Sequence, residues 1–407
     1  MPEMKFVYIF SRIKVSGALS RYHSYINTAK EIINEYKGEE PLSSFLKKKF
    51  SGNKKYGSTD RKKISHLCYS YFRLGRAAPS LNIEERILMG LFLCSDKPDE
   101  ILALLKPGWN EKVSLSIKEK CSMLNAQCSI SNVFPWKEGL SVGIDHEKFC
   151  ESFFVQPDLF LRLRPGKENT VREKLQKAGI EFEIISEKCL SLPNASKIEN
   201  IIELDAEAVI QDYNSQQTGR FLSSAFASLR NDKPSVWDCC AGSGGKSIMA
   251  NDINLTIDLT VSDIRESIVA NLKKRFANAG IKNFKSFVAD LSGNQLPVTG
   301  NYNVIIADVP CSGSGTWSRT PEQLYFFNEN KIDEHAALQK RIVSNVIPQL
   351  QPGGSFVYIT CSVFRKENEE VIMFINENFD LNLKQMEILK GYEKKADSMF
   401  VAVFEKL

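Results

Sequence analysis

The segment SVWDCCAGSGGKSIMA, residues 235–250, joins an apolar run of strand length to a glycine-rich turn and then to a helix. Gly242, Gly244 and Gly245 carry no Cβ, so backbone N–H groups of the turn can approach a ligand at the head of the helix. The spacing argues against a phosphate loop of the G-x-x-x-x-G-K-[ST] kind, because three residues rather than five separate Gly242 from Lys246. Downstream the same unit recurs. TIDLTVSD (256–263), FKSFVAD (284–290), NVIIADVP (303–310), SFVYITC (355–361) and MFVAVFE (399–405) are further apolar runs of strand length. Amphipathic helices stand between them: Ile268, Leu272 and Phe276 share one helical face, and so do Leu338, Ile342, Val346 and Leu350. This alternation predicts an α/β fold with a mostly parallel sheet, covered on both faces, whose ligands bind at the carboxyl ends of the strands.

The chemistry is therefore expected in the residues that follow each strand. Asp263 ends the second strand about twenty residues beyond the glycine turn, where a carboxylate can accept hydrogen bonds from ribose hydroxyls. Asp290 and Asp308 end the next two. Three acidic strand ends beside a glycine turn favour a ribose and a cation such as a sulfonium over a pyrophosphate, the alternative use of each being a helix cap. Asp308 is followed by Cys311, and the fifth strand ends in Thr360-Cys361-Ser362, 50 residues beyond Cys311. Neighbouring strand ends of one sheet would bring both thiols to one pocket.

Three segments, DCCAGSGGK (238–246), DVPCSGSGTWSRTPE (308–322) and GGSFVYITCSVFRKENEEVI (353–372), closely resemble the signatures of the NOL1/NOP2/Sun family of RNA cytosine-5 methyltransferases. That family includes bacterial small-subunit ribosomal RNA enzymes of the RsmB type. The resemblance continues upstream in Gln211-Asp212 and Ser215-Gln216 and downstream in DSMFVAVFEK (397–406). TDRKKISHLCYSYFR (59–73) is similar, more loosely, to the NusB-like helical domain of such enzymes. The resemblance implies a Rossmann-like class I methyltransferase domain using S-adenosyl-L-methionine. It implies cofactor contacts from Cys240, Ala241, Gly242, Ser243, Gly244, Gly245, Lys246, Asp263, Asp290 and Asp308. It further implies that Cys361 attacks carbon 6 of a cytosine, that Cys311 assists removal of the carbon 5 proton or product release, and that Asp308 hydrogen-bonds the base. Chemistry alone leaves Cys311 as a rival nucleophile, since DNA cytosine-5 methyltransferases attack with the cysteine of a Pro-Cys pair. The chain departs from the family's C-A-A-P-G-G-K by carrying Ser243 in place of the proline, which is expected to loosen the turn.

The implied organisation is a helical NusB-like RNA-binding domain over residues 1–149, a small α+β RNA-recognition unit over 150–210 and the methyltransferase domain over 211–407. The helical part is read from the spacing of Ile64, Leu67, Cys68, Tyr71 and Phe72, and the small unit from FLRLRPG (160–166), a helix at Thr170–Ala178 and IEFEII (180–185). Residues 1–76 carry 16 Lys and Arg against 6 Asp and Glu, a surplus that would attract a phosphate backbone.

Ten cysteines without a C-x-x-C pair or zinc-ligand spacing argue against a metal site or a disulfide framework. Adjacent Cys239 and Cys240 read as packing residues. Trp317 and Arg319 follow the PCSGSG segment and are left open between RNA contact and packing. No run reaches the ~18 apolar residues of a membrane span, and residues 1–17 lack a leader cleavage pattern. A cytoplasmic, monomeric enzyme acting on ribosomal RNA is expected. The alternatives are action on transfer RNA, action on DNA, and an RNA-binding scaffold with a decayed site.

Overall fold

A computed structural model describes residues 20–52, 55–124, 129–229, 232–293 and 300–407. The stretch 1–17 read for a leader, and Asn53, Lys54 and Asn231, lie outside the described residues. One compact unit comprises the described residues up to Lys137 together with Asp145–Val155 and Trp317–Phe327; the other comprises Glu138–Ile144, Gln156–Thr316 and Asn328–Leu407.

The first unit is helical. Helix Ser58–Arg73 buries Ile64, Leu67, Cys68, Tyr71 and Phe72, as their spacing predicts. It packs on helix Ile83–Cys94, whose Gly90 sits so close that an added Cβ would stand 2.0 Å from the Ser70 carbonyl oxygen. Trp317 is a packing residue: it is 2% exposed, among Phe134, Trp136 and Phe327.

The second unit holds two sheets. In the smaller, β1 (Leu159–Leu163), β2 (Glu183–Ser186), β3 (Cys189–Leu192) and β4 (Ala208–Ile210) pair antiparallel in the order β2-β3-β1-β4. Helix Glu168–Lys177 lays Val171 and Leu175 over Leu161, Leu163 and Leu190.

In the larger sheet, β5 (Ser235–Asp238), β6 (Asp258–Asp263), β7 (Phe284–Val288), β8 (Tyr302–Asp308) and β9 (Leu350–Thr360) run parallel. The antiparallel β11 (Met399–Lys406) and β10 (Leu381–Leu389) complete the order β10-β11-β9-β8-β5-β6-β7. Both faces are covered, so β5 and β8 are buried over nearly their whole length and consist of apolar runs. The spacing predicts Leu350 on the helical face of Leu338, Ile342 and Val346. It opens β9 instead, because the helix Asn330–Val346 gives way to a 3₁₀ turn whose Pro348 has no N–H to extend it.

Chain order decides where a ligand can bind. From β5 the sheet grows outward through β6 and β7, then the chain returns to lay β8 and β9 on the other side of β5. The loops leaving β5 and β8 therefore diverge and open a crevice at the carboxyl ends of those strands. Among the described residues, no helix is long and apolar enough to cross a membrane, and no group of three or more His, Cys, Asp or Glu could hold a metal ion.

Candidate active site

The turn after β5 is shaped by two glycines in the left-handed region, Gly242 at φ +53° and Gly244 at φ +85°. At Gly244 a Cβ would lie 2.8 Å from the Phe276 ring, so the turn packs directly on helix Glu266–Asn278. The Gly242 N–H donates to Asp263 Oδ2 at 3.1 Å, which ties the turn to the end of β6. Where the proline of the resembling family is missing, Arg275 takes over: its Nη1 donates to Ser243 O at 2.9 Å and Ser243 Oγ at 2.8 Å. The same guanidinium grips the Asp205 carboxylate through Nε and Nη2. The expected slack is thus taken up by an arginine clamp.

Two cavities flank this turn. The larger, about 600 Å³, is lined by Cys240, Gly242, Asp263, Asp290 and Asp308, with Ile264, Leu291, Pro310, Leu338 and Ile342 as an apolar wall. The smaller, about 320 Å³, is lined by Ala241, Gly242, Ser243, Gly245, Lys246 and Asp308, with Gln211, Asp238 and Arg275. Of the candidate cofactor residues, Gly244 lines neither cavity and serves the packing of the turn. Among the described residues the two linings share Gly242, Asp308 and Cys361. The apolar wall was missed in the sequence because Leu338 and Ile342 carry the ordinary signal of a core-facing helix. Arg275 was missed because nothing local pairs it with Ser243.

At the junction, Cys311 Sγ and Cys361 Sγ stand 3.4 Å apart. The TCS segment is held against the loop after β8 by the Gly315 N–H, which donates to Cys361 O at 2.8 Å. A Cβ at Gly315 would meet the Ser398 carbonyl oxygen at 2.0 Å, so only glycine allows this approach. Lys246 Nζ donates to Asp308 Oδ2 at 2.6 Å. Burial works against the lysine's charge, but Asp308 foremost, then Cys361 and Asp238, hold its pKa above the usual range. The Cys311 thiol is pushed well above its ordinary value by its hydrogen bond to Cys361 and by burial, with the charges of Cys361 and Glu367 adding to the effect. The two thiols thus have different neighbours, a cation for Cys361 and an anion for Cys311. Cys239 is fully buried and Cys240 partly so, both as free thiols.

Asp238 lies beneath this junction, fully buried. Ser247 Oγ donates to its Oδ2 at 2.5 Å, while Oδ1 has no hydrogen-bond partner. Burial pushes this carboxyl up to about 7; the Ser247 hydrogen bond opposes the rise and the Asp308 charge adds to it. A carboxyl whose folded pKa is raised contributes stability that is complete below its ordinary value and is lost as pH climbs towards the folded value. Asp238→Asn is therefore expected to gain on the native protein as pH rises from about 4 to 8, by a few kcal/mol at most. Urea midpoints of both proteins at pH 5 and 8 measure this; a difference that does not change with pH would show that Asp238 does not titrate there.

Residues 226–404 match the family model described as 16S rRNA methyltransferase RsmB/F. A curated relative from Bacillus subtilis (strain 168), "Probable ribosomal RNA small subunit methyltransferase B", is 27% identical over 241 residues, which are 58% of this chain and 53% of that protein. "Ribosomal RNA small subunit methyltransferase B" of Salmonella paratyphi A is 31% identical over 168 residues, 40% of this chain and 37% of that protein. The chain thus spans about half, or less, of the length of these relatives. Among solved structures, "Methyltransferase Homolog Protein from Pyrococcus Horikoshii" aligns with TM-score 0.55 at 21% identity, covering 66% of this chain and 92% of that one. "NSun6 from Pyrococcus horikoshii with SFG" aligns with TM-score 0.56 at 14% identity, covering 64% and 94%. At such identities the two structures speak for the fold. The family match and the curated relatives point the same way: residues 226–404 are similar to the methyltransferase domain of the RsmB/F family.

Proposed function

We propose that this chain transfers a methyl group from S-adenosyl-L-methionine to carbon 5 of a cytidine in RNA, with ribosomal RNA as the substrate. The observation that carries the reading is the pair of thiols 3.4 Å apart, with Cys361 lining both cavities and Cys311 lining the larger.

The larger cavity has the character the cofactor asks for. Asp263 is an acceptor for ribose hydroxyls, Asp290 and Asp308 are anionic towards a sulfonium, and the wall from Ile264 to Ile342 is apolar enough to take a flat base. The cofactor supplies an electrophilic methyl group on a positively charged sulfur. A relative in fold was solved with SFG, an analogue of that cofactor.

The smaller cavity takes the cytosine. Carbon 5 of the ring is a poor nucleophile until a thiolate adds at carbon 6. Cys361 is the group for this, because it lines the smaller cavity together with Lys246, whereas Cys311 lines the larger one. Cys311 stays protonated next to Glu367 while Cys361 attacks; once carbon 5 is methylated, Cys311 gives its proton to the Cys361 sulfur as that sulfur leaves carbon 6 with its electron pair and, now a thiolate, takes the carbon 5 proton, the C–H pair closing the C5–C6 double bond. Asp308, held by Lys246, reaches both cavities and hydrogen-bonds the cytosine edge, offsetting charge that develops on the ring. A base enters such a pocket unpaired or flipped. The helical region, residues 1–149, and the small unit, 150–210, are proposed to hold the RNA around it.

The test is transfer of labelled methyl from the cofactor to total RNA by the purified protein, with the labelled nucleotide identified by digestion and mass. Labelled 5-methylcytidine in small-subunit ribosomal RNA is the expected result. Label in transfer RNA moves the substrate, and label on another base or atom removes the proposed chemistry.

A further inference from the structure

We infer that Glu367 is a positioning residue that holds the loops bearing Cys311 and Cys361 in register and keeps the two thiols chemically unequal. The inference rests on the roles proposed above for those thiols.

Glu367 is fully buried. It sits in the 3₁₀ turn Arg365–Glu367, six residues beyond Cys361, and its own carbonyl accepts a hydrogen bond from the buried Tyr358 hydroxyl at 2.7 Å. Its carboxylate joins three separate parts of the chain. Oε2 accepts from the Ser312 N–H at 2.7 Å, the backbone donor immediately after Cys311. Oε1 accepts from the Ser362 hydroxyl at 2.9 Å, the side chain immediately after Cys361. Gln339, on the helix Asn330–Val346, adds a third donor to Oε2 at 3.3 Å while also donating to Pro310 O at 3.0 Å. A buried carboxylate is costly unless donors surround it, and here two of the donors adjoin the cysteines themselves. Around it, Ser312, Ser314 and Ser362 exchange hydroxyl contacts of 3.1 to 3.3 Å, which close the space between the loops.

This arrangement has an electrostatic consequence as well as a geometric one. The Glu367 charge acts on Cys311 and helps keep that thiol protonated, whereas Cys361 interacts electrostatically with Lys246. Burial raises the proton affinity of Glu367, and the hydrogen bonds from Ser312 and Ser362 lower it again. A purely structural carboxylate in the same place would stabilise the fold without biasing one thiol against the other.

The test compares the native protein with Glu367→Gln and with Ser362→Ala, which removes the tie from Glu367 to the Cys361 loop together with the Ser362 hydroxyl's contacts to Ser312, Ser314 and the Phe364 N–H. Brief treatment with iodoacetamide at neutral pH, followed by peptide mass mapping, gives the ratio of Cys361 to Cys311 labelling. The native protein is expected to label Cys361 about tenfold faster. In Glu367→Gln the ratio should fall at least about threefold as Cys311 becomes more reactive, and kcat for methyl transfer should fall about tenfold or more with KM for RNA within about twofold. Ser362→Ala should show the same kcat loss to a smaller extent, and it decides the matter if the glutamine variant does not fold. An unchanged labelling ratio and unchanged kcat in folded variants overturn the inference. If the native protein transfers no methyl group to RNA, the proposed function fails on its own, and the labelling ratio still decides what Glu367 does to the thiols.

Discussion

Cys361→Ala is expected to reduce methyl transfer to RNA by about 10⁴-fold or more, the scale on which loss of a nucleophile is felt, and to form no protein–RNA adduct that survives denaturation. Cys311→Ala is expected to lose about 10² to 10³-fold and to accumulate such an adduct. The asymmetry follows from the neighbours of each sulfur. Without Cys361 nothing adds to carbon 6, so neither methylation nor covalent capture begins. Without Cys311, Lys246 is still beside Cys361 and Asp308 still faces the ring, so addition and methylation proceed and the later loss of the carbon 5 proton stalls. Gel analysis of both variants with labelled RNA reads the outcome directly. The reverse pattern, an adduct in Cys361→Ala and none in Cys311→Ala, would exchange the two roles and make the lysine beside Cys361 irrelevant to nucleophile choice.

The second large effect is expected at Arg275, outside the reacting groups. Its side chain is mostly buried at 19% exposure, and its partner Asp205 is more so at 10%. Nε donates to both Asp205 oxygens at 3.0 Å and Nη2 to Oδ1 at 2.6 Å, while Nη1 spans to Ser243. Replacing Arg275 with Met keeps much of the apolar stem but leaves the Asp205 carboxylate buried without its fork, which costs about 3 kcal/mol. It also frees Ser243 in a turn that has no proline to stiffen it. Arg275→Met is thus expected to melt about 8 °C lower and to bind S-adenosyl-L-methionine about tenfold more weakly, a loss of roughly 1.4 kcal/mol. Arg275→Lys keeps the charge without the planar fork and should fall between. Calorimetric titration of the cofactor, alongside thermal melts, separates the two losses. Native-like affinity in a destabilised Arg275→Met would mean that the turn holds its shape without the clamp.

The α/β architecture was legible because its signal is local. Each parallel strand is a short apolar run, and each ends in the residue that faces the crevice, so Asp263, Asp308, Cys311 and Cys361 could be picked out by position alone. The edge strand Leu381–Leu389 was not, since Asn382 and Glu387 are exposed and interrupt any apolar run. The FLRLRPG stretch was read as part of a small α+β unit, and it holds the strand Leu159–Leu163, whose alternation would send Arg162 and Arg164 to solvent. Arg162 is buried and Arg164 mostly so, both paired with Asp252 some ninety residues away, with Arg162 also donating to Gln211. Partners at that separation leave no trace in a period of two. The same holds for Glu367, which looked like one acidic residue in a charged run, and for Arg275, whose helix face gave no sign of Ser243. The helix that lines the larger cavity with Leu338 and Ile342 has the pattern of any core helix, because an apolar cavity wall and an apolar core ask for the same residues.

Among the described residues the two cavities share Gly242, Asp308 and Cys361, and each otherwise has its own walls. On the proposed reading, neither ligand needs to pass through the other's chamber. Spent cofactor can then be exchanged while the nucleic acid remains seated, and the order in which the two ligands arrive is left free rather than imposed by the architecture.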